Sequence, residues 1–293
     1  MLLNRAELQK AVERLFKTGH RRTLWAAAAL AEELERERAL RLVFDRLGKP
    51  LVPGCEYLFE LLADLKEPWS PEMEAAIRTG LFAAEVETAE AAAKLLLALA
   101  SPENPELAEL LDHAYAHWLK HEEPYPTQGG IIPTSPRSKL AEAQAKLGLP
   151  SYDTIRSYLN DTRSDIYDIG ARLLIERLQQ ANGERLQFFD DVEHGKVPGR
   201  AVDKVLASGV PLDTKELTAA EQLLVNPDKI VRYCAMTLLD ERYMSAERIQ
   251  QHAARMSEDS EHQIRNRAIS KSGRLSALRE RVQSTDGQTA LGM

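Results

Sequence analysis

Three histidines, His113, His117 and His121, fall four residues apart in a helix-forming stretch. That spacing sets side chains on one helix face. Two imidazoles so placed can share a metal ion, and Asp112 and Glu122 lie close in sequence. Three successive turns span about 12 Å at 1.5 Å per residue, too far for one ion to hold all three. A site would need a ligand from another helix, so the competing readings are surface histidines or a pH-sensitive contact. The carboxylate pairs Asp190-Asp191 and Asp165 with Asp168 could supply an acid and a base. With 45 Asp and Glu in 293 residues, such pairs arise by chance, and none stands out. No phosphate-cradling Gly-rich loop, Gly-x-Ser-x-Gly elbow, Cys-x-x-Cys pair or His-Glu-x-x-His occurs. Cys55 and Cys234 cannot form a structural zinc site by themselves and read as small core fillers. The expectations are no catalytic residue, no metal, no cofactor and no enzymatic activity.

Composition fits a folded chain: 44% hydrophobic and 28% charged residues exclude a disordered one. Two cysteines exclude a disulfide scaffold and suit a reducing compartment. The first residues lack a basic start and apolar core, and the longest apolar run, Leu24 to Ala31, is far short of the roughly 20 residues of a membrane span. A cytoplasmic location without membrane contact is expected.

The elements that must position any site are helical. Apolar residues recur at i, i+3, i+4 and i+7, as in Leu8, Val12, Leu15 and Phe16, and no period-two strand run appears. The spacing predicts helices over 5–17, 23–38, 39–47, 54–65, 71–81, 85–100, 105–121, 137–147, 152–160, 165–181, 184–193, 199–207, 214–225, 227–240, 246–257, 260–272 and 275–283. Ser70-Pro71-Glu72, Asn104-Pro105-Glu106 and Asn226-Pro227-Asp228 read as N-cap, first-turn proline and acid. Asp213 and Glu216 have capping-box spacing, and Gly19, Gly48, Gly148 and Gly183 read as stops. Residues 122–137 hold four prolines and two glycines. They divide an acidic half, 1–125, from a loop, 126–137, and repeats over 138–283, with 284–293 as a tail. The loop is either a connection or a binding segment.

Within the second half the chain repeats. Asn226 to Ala235 aligns with Asp259 to Ala268, so that Val231, Arg232 and Ala235 recur 33 residues on as Ile264, Arg265 and Ala268. A looser copy runs from Asn160 to Gly170. The small residues Gly170, Ala235 and Ala268 permit close helix approach, while Ile166, Val231 and Ile264 fill the layer between units. These residues resemble the HEAT repeat family, whose second helix follows an Asp-Pro-Asp-x-x-Val-Arg-x-x-Ala turn. Asn stands here for the first Asp, and Tyr167 replaces Arg in the loose copy. The resemblance implies an all-α fold, a right-handed α-solenoid of stacked antiparallel helix pairs, and usually a surface that binds macromolecules. It also implies that Asp228, Arg232 and Arg265 link neighbouring repeats.

Charge is uneven. The whole chain carries −7, and residues 56–123 alone carry −11, whereas Arg265 to Arg281 carry +5. The acidic stretch is either a solvated face or a docking surface for a basic protein. The reading adopted from the sequence is a non-enzymatic protein binder, an immunity or inhibitor protein or an adaptor that masks a basic partner. The docking residues expected are Glu103, Glu106, Glu109, Glu122 and Glu123 with Trp118, Tyr125, Ile131 and Ile132. Trp118 could anchor an interface but reads more readily as core, and Trp25 reads as core. The alternative is a DNA-base glycosylase built on such repeats, and a third reading is a lyase or scaffold for a cofactor-bearing protein. Net acidity counts against nucleic acid. A negative groove along the second helices would favour the protein binder, and a positive one DNA.

Overall fold

The computed structural model describes residues 5–102, 107–121, 135–148, 150–180 and 183–273. The described residues are all-α, with no strand among them. They divide into two compact units, one of 1–150 with 162–169 and the other of 151–161 with 170–293.

The first unit holds α1 (Arg5–Lys17), α2 (Arg21–Ala29), α3 (Arg36–Leu47), α4 (Glu56–Leu65), α5 (Pro71–Leu81), α6 (Val86–Leu99), α7 (Leu107–His121) and α8 (Pro136–Leu147). Odd-numbered helices pack on one another from α1 through α3 to α5, and even-numbered ones from α2 through α4 and α6 to α8. This is the expected stack of antiparallel pairs in two layers. Local chemistry sets the ends. The Ser70 hydroxyl accepts from Met73 N at 3.1 Å with Pro71 in the first turn, and Met73, Ile77 and Leu81 are buried one turn apart. Helix α8 follows the Pro/Gly-rich segment yet packs on α6 and α7, so it belongs with the helices before that segment.

The expected rod over 23–38 is instead broken. Helix α2 ends at Ala29, a 3-10 turn covers Ala31–Glu33, and α3 begins at Arg36. No Gly or Pro stands at the break. It is imposed by packing, which buries both Ala31 and Leu34 and lets Gln9 Nε2 donate to the Glu33 carbonyl at 3.0 Å.

The second unit holds α9 (Tyr152–Leu159), α11 (Gly183–Glu193), α12 (Arg200–Ala207), α13 (Thr214–Gln222), α14 (Lys229–Ala235), α15 (Ala246–Met256) and α16 (262–273), with α10 (Ser164–Gln180) divided between the units at Gly170. First helices pack on first helices (α11 on α13) and second on second (α12 on α14). The capping box at Asp213 and Glu216 forms as expected. Asn226-Pro227-Asp228 behaves differently from its expected role. Asn226 Oδ1 accepts from Asp228 N, making a turn before the helix, and Asp228 is the cap, accepting from Ile230 N at 2.7 Å. Pro227 therefore lies outside α14. Gly183 likewise starts a helix rather than ending one.

The 33-residue repeat is physical. Arg232 Nη1 donates to the carbonyls of Asn226 and Pro227 at 2.8 and 3.0 Å. Arg265 Nη1 donates to the equivalent carbonyls of Asp259 and Ser260 at 2.7 and 2.8 Å. Arg232 also reaches the next repeat, with Nε and Nη2 donating to Asp259 Oδ2 and Oδ1 at 2.8 and 3.1 Å. These bonds hold the Asp259 carboxyl below its ordinary range, against the opposing effect of burial.

Gly170 marks the close approach anticipated for its repeat. A Cβ there would lie 2.8 Å from Tyr158 Cβ and 3.1 Å from Leu159 N. Two predictions follow from this geometry. Gly170→Ala should destabilise by about 1–3 kcal/mol, because backbone rather than a flexible side chain must yield; an unchanged chemical-denaturation midpoint would refute it. Asp259→Asn should cost about 1–3 kcal/mol at pH 7, read by the same method. A depressed carboxyl stabilises above its unfolded pKa, so the wild-type advantage should fade as pH drops below 3.8.

Candidate functional site

Burying one stripe of each second helix forces another stripe outward. Val231 and Ala235 of α14 and Ile264 and Ala268 of α16 are buried between repeats. Their helices then expose Lys229 with Tyr233, and His262 with Asn266, each pair at i, i+4. Helix α12, packed beside α14, exposes Arg200 with Lys204 at the same spacing. Three successive second helices thus carry one outward pair each.

The sign of this layer is positive. Helices α12, α14 and α16 contain seven Lys and Arg against a single acid, Asp203. Asp203 accepts from the Thr237 hydroxyl and lies 3.4 Å from Arg267 Nη2. The first helices α11, α13 and α15 carry four basic and seven acidic residues, so charge is sorted between the layers. Lys204 has no ion-pair partner among the described residues, and Lys229 meets Glu261 only at 3.8 Å on the surface.

The layer is also partly apolar. Ile230 is 54% exposed and Tyr233 40%. The Arg267 guanidinium sits 4.6 Å from the Tyr233 ring centroid, and its Nη1 donates to the Tyr233 carbonyl at 2.8 Å. Lys229, Ile230, Tyr233, Glu261, His262 and Ile264 line a groove of about 370 Å³ between α14 and α16, so one cation and one carboxylate face it. Ile269, 61% exposed, is a different case. It occupies the position of Met236 one repeat on, and Met236 is fully buried. Its exposure marks the last described layer of the stack.

Of the docking residues expected from sequence, only Glu109 and Trp118 are described; Glu103, Glu106, Glu122, Glu123, Tyr125, Ile131 and Ile132 lie outside the described residues, as do 275–283 and the 284–293 tail. Glu109 is exposed on α7. Trp118 is corrected to a core residue. It is 4% exposed, and its indole Nε1 donates to the Leu81 carbonyl at 2.7 Å. Trp25, expected in the core, is 57% exposed, because α2 turns its neighbours Leu24 and Ala27 inward.

The histidine trio does not converge. His113 and His121 are exposed, and the His117 and His121 rings stack with centroids 4.2 Å apart. Burial, then the neighbouring His121, lowers the His117 pKa. No group of three or more His, Cys, Asp or Glu is placed to hold a metal among the described residues. Asp190 and Asp191 also part. Asp190 is on the surface, whereas Asp191 is buried with Lys196 Nζ at 3.1 Å and Arg156 Nη1 at 3.2 Å. Burial favours its protonation, yet these donors hold its pKa below the usual range. Burial and the Asp191 charge push the Tyr152 phenol upward. Asp165 is taken by Arg163 at 3.1 and 3.0 Å. Both cysteines are free and buried.

No family model and no curated protein matches the chain. Among solved structures it is similar to the complex of CpcE and CpcF of phycocyanin lyase from Nostoc sp. PCC7120, with 17% identity over 86% of this chain and 94% of that one and a TM-score of 0.42. The expectation of a chain without enzymatic activity is withdrawn, since the protein found similar is a lyase. No helix of the described residues is long and apolar enough to cross a membrane.

Trp118→Phe should lower stability by about 1 kcal/mol or more, through loss of one buried hydrogen bond. A thermal shift below wild type checks it; an unaltered melting temperature would return Trp118 to the list of surface anchors.

Proposed function

We propose that the chain is a protein-binding helical-repeat protein of HEAT-like type, an adaptor or masking protein whose docking face is the second-helix layer of the second unit. The observation that carries this reading is the exposed Ile230 and Tyr233 beside a groove, at the repeat positions that packing leaves free. Apolar side chains on a solvated helix face cost solubility and mark interaction surfaces. Tyr and Arg in stacked contact are the residue types enriched at interface centres.

The layer is positive, the sign set out above as favouring DNA. Its amount and arrangement favour protein. Among the described residues, the exposed cations in helical register are Arg200, Lys204 and Lys229, interrupted by Ile230 and Tyr233. A face that holds a duplex through its backbone typically neutralises about six to ten phosphates. The acidic stretch 56–123 belongs to the first unit and leaves room for a basic partner there, as an inhibitor or immunity role would use.

A photo-crosslinking amino acid at position 233 of the full chain, expressed in its native source, tests the reading. One protein adduct should form at 233, none at the exposed control position Glu72, and Ile230→Asp should reduce the adduct at least about fivefold. Equal labelling at both positions, or a nucleic-acid adduct, would refute it.

A further inference from the structure

The sorting of charge between helix layers says what kind of protein segment the docking face takes. We infer that the α12, α14 and α16 face binds an acidic amphipathic segment of a partner protein; the inference rests on the protein-binding reading above. Three observations converge. The exposed cations Arg200 and Lys204 on α12 and Lys229 on α14 share this face, and α16 carries His262 at the repeat position of Lys229. Ile230 and the groove floor residue Ile264 offer an apolar seat beside Lys229. Among the described residues Arg265 is anchored to two carbonyls and meets no carboxylate, whereas Arg232 is neutralised by Asp259. The field therefore comes from residues already fixed by the repeat, and no loop has to be ordered to create it.

An acidic segment complements this pattern in two ways. Its carboxylates meet these cations, which steers encounter and rejects basic competitors. Apolar residues one helical turn apart meet Ile230 and Tyr233, whose spacing of three residues matches i, i+3 on a docked helix. A phosphate backbone satisfies the first requirement and leaves the second unmet.

Fluorescence anisotropy with the full chain tests the inference. The probes are a peptide of about 18 residues with Leu at i, i+3, i+4 and i+7 and Glu elsewhere, the same peptide with Lys for Glu, and a scramble of the acidic one. Single-stranded and duplex DNA of about 20 nucleotides complete the set. The acidic amphipathic peptide should bind at least about tenfold tighter than the others. Lys204→Glu with Lys229→Glu should weaken it about tenfold, and Ile230→Ser about fivefold, with unchanged circular dichroism because all three side chains are exposed. Equal binding of the Lys peptide or the scramble overturns the inference, as does tighter binding of DNA with a steep salt slope. If the acidic preference fails while the crosslink at 233 still yields a protein, the sign of the partner is wrong and the protein-binding reading stands. If both fail, both fall.

Discussion

The Arg232 guanidinium joins what would otherwise be separate helix pairs. One arm ties the turn of its own repeat by taking two orphan carbonyls, and the other two donors lock onto Asp259 of the next. A helix pair buries too little apolar area to stand alone, so each repeat must be held in register with its neighbour. A planar fork does this better than a flexible ammonium, because its donors are pre-aimed in one plane. The same carbonyl pattern at Arg265 shows that the device belongs to the repeat rather than to one residue. Buried Asp191, held by Lys196 and Arg156 between α9 and α11, is a second inter-pair clamp built from other residues. Its carboxylate is held by both cations, whereas the neighbouring Asp190 stays on the surface.

Much of the fold is legible from periodicity. Helices over 5–17, 71–81 and 152–160 follow directly from apolar spacing and caps, since both act within a few residues. The break after Ala29 was not legible, because Ala-rich sequence favours helix and only distant packing opposes it. The two-residue shift of the α14 cap was illegible for a related reason. Asn226 and Asp228 are both good caps, and the choice between them is made by Arg232 claiming the Asn226 and Pro227 carbonyls from the other side.

The site was less legible than the fold. Net charge directed attention to the acidic stretch, but a total cannot show how charge is shared between two faces. The informative signal was present in the repeat itself. Lys229 and Tyr233 recur as His262 and Asn266 at the 33-residue period, beside the buried Val231 and Ala235 that recur as Ile264 and Ala268. Residues that keep the period while avoiding the buried stripe must share an outward face. Trp118 shows the converse failure. An aromatic residue next to acids suggested an anchor, yet its indole proton is bonded to the Leu81 carbonyl inside the first unit.

Exposure acquires meaning only through position in the repeat. Ile230 and Ile269 are exposed to a similar degree, 54% and 61%. Ile230 sits at a position that the next repeat also exposes, as Gln263, whereas Ile269 sits where the preceding repeat buries Met236. The first is a property of the layer, and the second of where the described stack stops. Stacking buries Val231 and Ala235 and engages Arg232, whereas Ile230 and much of Tyr233 stay in solvent. The isoleucine and the tyrosine there, with a guanidinium fixed over the tyrosine ring, are the observations on which the proposed docking face rests.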